Sequence, residues 1–176
     1  MLATSLYMIV FRVVHIAAAV AWGGSVLLLV VFVQPSSASI GPAAAPFMGE
    51  LLGRRRVVDW ILTMGALTIA GGLFLYWRDW HLAGTFGDWI SSRFGLVLTI
   101  GAVAAIAAFA IGAFGTRPGV QRLLALGRRA AEEGGPPSPE LAEQIRSLQG
   151  RLKTLSRTSL GLIAIAVLAM STARYW

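Results

Sequence analysis

The sequence has 176 residues and no cysteine. Disulfides, thiolate metal sites, iron–sulfur clusters and thioether-linked haem are thereby excluded. Charge is scarce, at 13% of residues, against about 25% in an ordinary soluble domain. Acidic residues are the scarcer sign: eight Asp and Glu stand against fifteen Lys and Arg, a formal charge of +7. Only two histidines occur, His15 and His81, so a two-haem wire with bis-histidine ligation at both haems is impossible. There is no His-x-x-x-His or His-x-x-Glu pair, and no nucleotide-binding glycine loop after a strand.

Apolar residues make up 56% of the chain, and its mean hydropathy is +0.71. A soluble domain of this length buries only part of the surface its chain exposes; a bilayer accommodates the rest. A span needs about 20 apolar residues, and four stretches qualify: residues 6–33, 57–77, 93–115 and 157–174. Residues 34–46 hold Pro35, Pro42 and Pro46 and read as a loop. Gly101, Ala105, Ala108 and Gly112 recur at helical spacing, so a neighbouring backbone can approach the third span closely.

Arg117, Pro118 and Gly119 predict a break or kink after the third span. A basic amphipathic stretch follows, then a sharp turn at Gly134, Gly135, Pro136 and Pro137. Ser138 is a good N-cap with Pro139 at the first helical position. Leu141, Ile145, Leu148, Leu152 and Leu155 form an apolar helical stripe that runs on into the fourth span. The expected fold is all-α: an integral membrane four-helix bundle forming a single domain over 1–176. A cytoplasmic helical hairpin, 118–157, lies between helices three and four.

Lys and Arg counts orient the bundle. The first loop carries Arg54, Arg55 and Arg56, and the third carries eight basic residues. The opposite side has Arg78, Arg93, Arg174 and Arg12 at most. Loops one and three are therefore expected in the cytoplasm, with both termini outside the cell membrane. The basic residues flank apolar spans, so lipid rather than nucleic acid is the expected partner, with a redox or membrane-protein partner or a homo-oligomer also allowed. Residues 1–11 lack a basic n-region, and Arg12 and His15 interrupt any signal-peptide core, so the first helix is expected to be retained.

Ionisable residues inside a span are costly and point to function. His15 lies one turn from Arg12 in the outer half of the first helix, and Trp22 shares its face. His81, Arg93, Met170 and Arg174 fall at the same side of the membrane. Neutral imidazole ligates haem or metal, and bundles host cofactors between facing helices. His15 is the expected axial ligand of haem b, with His81 or Met170 as a second ligand and Arg12, Arg93 and Arg174 as partners of its propionates. Trp77, Trp80, Trp89, Tyr175 and Trp176 read as an outer aromatic belt. Asp59 beside Arg54–Arg56 reads as an interfacial ion pair.

The stretch His15-Ile16-Ala17-Ala18-Ala19-Val20-Ala21-Trp22-Gly23-Gly24, with Gln34-Pro35 beyond it, resembles the first helix of copper-resistance D-type membrane proteins. It also resembles that of HemJ-type protoporphyrinogen oxidases, to which Gly71-Gly72-Leu73, and Trp89 with a basic residue four on, are similar. The resemblance implies a small haem-binding or copper-handling bundle whose key ligand is His15. Ser91 and Arg93 stand where the HemJ type has histidine and lysine, and arginine stays protonated and cannot ligate. Three functions follow as expectations: a haem b protein with a redox or electron-transfer role near the outer face, including a haem-dependent oxidoreductase; a copper-handling protein; or a non-catalytic subunit or assembly factor docking through its hairpin.

Overall fold

The computed structural model describes residues 2–175, and no β-strand occurs among them. Helix α1 (Leu2–Leu28) passes through a π-turn, Leu29–Val33, into α2 (Gln34–Ile40). A 3-10 turn, Gly41–Ala44, leads to α3 (Ala45–Gly49) and a second π-turn, Glu50–Arg54. Then come α4 (Val57–Ala83), α5 (Phe86–Ser91), α6 (Arg93–Ala110), a π-turn at Ile111–Thr116, α7 (Arg117–Glu132), α8 (Pro139–Thr172) and a 3-10 turn, Ala173–Tyr175.

The expected loop at 34–46 is helical instead. Pro42 follows the turn at Gly41, where a missing N–H is no loss, and Pro35 and Pro46 sit where one helical segment passes into the next. Gly41, with φ +68°, supplies the change of direction. The Ser37 hydroxyl then reaches the Met48 sulfur at 3.1 Å, tying α2 to α3. At the expected break or kink near Arg117 the helix runs on through a π-turn. Pro118 offers no N–H to the Phe114 carbonyl and would crowd it, and the chain widens to a π-turn just before it. The π-turn at Leu29–Val33 stands in the same relation to Pro35.

Two antiparallel pairs build the bundle, α1 with α4 and α6 with α8. Along the first, Phe11 stacks on Phe74 at 4.1 Å between ring centroids, His15 meets Gly71 and Gly72, and Trp22 meets Gly65. Along the second, the Ser159 hydroxyl donates to the Ala108 carbonyl at 3.2 Å, and Gly101 lets Met170 lie against the α6 backbone. Trp22, Val26 and Val30 join the pairs with Ala104, Ala105, Ala108, Ile163 and Ala166 in one core. The small-residue stripe of the third span thus does face neighbouring helices: Gly112 abuts Leu62 of α4.

Among the described residues, four helices are long and apolar enough to cross a membrane. At most 28% of the most apolar stretch of each is buried within the protein. The apolar surface therefore points mainly outward, the arrangement of a multi-pass membrane protein and not of a soluble bundle. Beyond the apolar part, α7 folds back along the first half of α8, with Gly119 on Leu152 and with Val120, Leu141 and Leu152 buried. Ser138 caps α8 as its sequence predicts, accepting from the Leu141 amide at 3.4 Å, with Pro139 opening the helix.

Candidate functional site

The site is best defined around His15, midway along α1 where it faces α4. Its Nδ1 lies 2.7 Å from the backbone carbonyl oxygen of Thr68. A carbonyl has no proton to give, so Nδ1 is the donor. In the neutral ring this tautomer leaves the lone pair on Nε2, and no described residue engages that atom. The Thr68 hydroxyl is satisfied within its own helix, donating to the Met64 carbonyl at 2.8 Å.

Gly71 and Gly72 form the seat of this ring. A β-carbon on Gly72 would stand 2.8 Å from His15 Cε1 and 3.2 Å from Nδ1, and one on Gly71 would stand 3.3 Å from His15 Cβ. The glycine pair is thus a steric requirement of the histidine on the facing helix. Two turns along α1, Trp22 repeats the arrangement at Gly65, whose β-carbon would meet Trp22 Cε2 at 3.1 Å and Phe109 Cδ2 at 3.0 Å. Trp22 is 5% exposed and serves as a core wedge between three helices.

Arg12, Arg93 and Arg174 have no carboxylate partner among the described residues; Arg174 lies over the Tyr175 ring at 5.7 Å. Arg12 is one turn from His15. Arg93 opens α6 just after Ser92, which caps that helix by accepting from the Gly95 amide at 3.0 Å. Arg174 follows the end of α8, so antiparallel packing brings it to the end of the bundle where α6 begins.

Two other expected ligands do not join His15. His81 lies in the last turn of α4, which runs past Trp77, the expected end of the second span, to Ala83. Its exposed ring donates through Nδ1 to the Trp77 carbonyl at 3.1 Å and contacts Trp77 and Trp80 at centroid distances of 4.6 and 5.2 Å. It is nine residues beyond Gly72, about 13 Å along the helix at 1.5 Å per residue. Met170 packs on Gly101 in the α6–α8 interface. Among the described residues no three His, Asp or Glu side chains gather as a metal site.

Trp89, read as part of the outer aromatic belt, is 3% exposed. Tyr76 and Phe94 meet its ring edge-on, both at 5.5 Å, and its buried Nε1–H has no acceptor among the described residues. A capping box holds the short helix that carries it: the Asp88 amide donates to the Thr85 hydroxyl oxygen at 3.1 Å and the Asp88 carboxylate accepts from the Thr85 amide at 3.2 Å. The Thr85 hydroxyl, and then its amide, hold the Asp88 carboxyl below the usual carboxylate range. Sequence reasoning missed this cap, whose signal was the Thr85-x-x-Asp88 spacing.

The arginine-rich end carries a second polar layer. Asp59 accepts from Arg56 Nε at 2.7 Å, as its neighbourhood suggested, and also from Arg117 Nε at 2.8 Å. Sequence reasoning missed Arg117, because its partner lies 58 residues away. Gln34 Nε2 donates to the Ser156 hydroxyl at 3.3 Å, linking the end of the first span to α8.

No protein-family model matches the chain, and no curated protein or solved structure matches it.

Proposed function

We propose that the protein binds haem b within the membrane, that His15 Nε2 is its axial ligand, and that its role is redox chemistry or electron transfer near the outer face. The observation carrying this reading is the Nδ1–H bond from His15 to the Thr68 carbonyl at 2.7 Å. A backbone carbonyl on the far nitrogen is the arrangement that sets the tautomer and aim of a metal-bound imidazole. The donor set suits the group: one oriented imidazole nitrogen, and guanidinium groups at Arg12, Arg93 and Arg174 with no carboxylate partner among the described residues, which would serve the propionates. Bound haem supplies one-electron chemistry. The residues of this chain orient the imidazole and keep its surroundings apolar. His81 and Met170 are engaged elsewhere, so of the three expected ligands His15 is the one that would hold the group.

The arginine-rich end, with the 118–157 hairpin, is assigned to the cytoplasm of a cell-membrane protein, and both termini to the outside. Copper handling has less support, since soft-metal transfer needs clustered ligands and no such cluster occurs among the described residues. A docking subunit has less as well, because the α7 and α8 stripes cover each other.

The test is the absorbance spectrum of protein purified in mild detergent from a host supplied with haem precursor. A Soret band with redox-sensitive α and β bands is expected. His15→Ala should lose it while keeping its helical circular dichroism. A colourless wild-type protein, or an unchanged spectrum in the variant, overturns the assignment.

A further inference from the structure

The π-turn before Pro118 has a consequence on the side facing α8. There the two helices leave a cleft of about 170 Å³. Its apolar wall is formed by Phe114 and Leu155, and its polar wall by Arg122 and Arg151. Phe114 is 83% exposed, the highest value among the large apolar side chains. Arg122 and Arg151 are exposed and have no ion pair among the described residues, whereas Arg117 next to the cleft is held by Asp59. The Gln34–Ser156 and Arg117–Asp59 hydrogen bonds lie at this level.

We propose that this cleft binds the headgroup of an anionic phospholipid. The phosphodiester lies between Arg122 and Arg151, and the acyl chains run down over Phe114 and Leu155 into the bilayer. Two unneutralised guanidinium groups call for an anion. An exposed aromatic ring and a leucine directly below call for hydrocarbon. A phospholipid at the bilayer surface carries both in that order, which a soluble anion or an acidic peptide does not. The inference rests on the membrane placement proposed above, but not on haem.

The measurement is thermal unfolding of the full-length protein in nonionic detergent, titrated with phosphatidylglycerol, phosphatidylcholine or inorganic phosphate. Phosphatidylglycerol should raise Tm by about 5 °C at saturation. Phosphatidylcholine and phosphate should leave it unchanged. The double variant Arg122→Gln/Arg151→Gln should lose the shift. Arg128→Gln/Arg129→Gln, which removes the same charge from α7 outside the cleft, should keep it. A shift lost equally in both double variants means diffuse attraction to a basic surface and overturns the site, as does a full shift with phosphate alone or none with either lipid. If the cleft variant fails to fold, native mass spectrometry of the wild type, retaining phosphatidylglycerol over phosphatidylcholine at a stoichiometry of one, decides instead; equal retention overturns the proposal. The same titration on His15→Ala separates this result from the haem reading, because the lipid shift should persist there whether or not haem is bound.

Discussion

His15 and Gly72 are in direct contact across the α1–α4 interface, so close that a β-carbon on Gly72 would fall 2.8 Å from His15 Cε1. Gly72→Ala should therefore push the imidazole off the Thr68 carbonyl. Overpacking of this kind costs about 1–3 kcal/mol, and the haem spectrum should broaden or disappear. Gly24, with nothing within 4 Å of its β-carbon position, is the control; Gly24→Ala should leave the spectrum unchanged and should not lower Tm. A Gly72→Ala protein with wild-type stability and spectrum would show that the seat is unimportant.

The exposed position of His81 at the end of α4 makes a second prediction. His81→Ala should keep haem content and spin state, because its ring serves Trp77 and Trp80 rather than the His15 site. Conversion from low-spin to high-spin haem in this variant would instead identify His81 as a second ligand.

Asp59 bridges Arg56 and Arg117 with its side chain about one-third exposed. Partly exposed ion pairs contribute little, so Asp59→Asn and Arg117→Gln should each lower stability by about 1 kcal/mol or less. A double-mutant cycle should return a coupling of about 0.5 kcal/mol. That coupling should shrink in 1 M salt, where the screening length is about 3 Å. A coupling that is absent at low salt would mean the bridge does not hold α7 to α4.

Topology is tested by single cysteines at exposed positions, which is simple in a chain with none of its own. Ser36→Cys and Gly135→Cys should resist an impermeant thiol reagent in intact cells and react after permeabilisation. Gly87→Cys should react in intact cells. The reverse pattern would place the arginine-rich end outside and move the His15 site to the cytoplasmic half.

Much of the architecture is a one-dimensional property. Hydropathy alone separates four spans, because each is a continuous apolar stretch of sufficient length. Caps are local, so Ser138 with Pro139 could be recognised from spacing. Prolines misled in one direction only: Pro35, Pro42 and Pro46 read as loop formers but lie in helical segments, and Pro118 widens a helix without ending it. A proline restricts its neighbours in both cases, and only the path of the chain decides which outcome is cheaper.

By itself, then, the sequence determined that the chain is helical, that four segments suit a bilayer, and that His15 is the unusual residue within them. The tertiary structure decided that His15 faces Gly71 and Gly72, that Arg117 reaches Asp59, that Trp89 is enclosed, and that His81 lies about 13 Å along the helix from the His15 level. The reason lies in the rotation of each helix. In a soluble bundle, polar residues mark the outward face and fix that rotation. Here the outward and inward faces are both apolar, and rotation is set by which small residue admits which large one, a relation between separate helices that no single stretch of sequence contains.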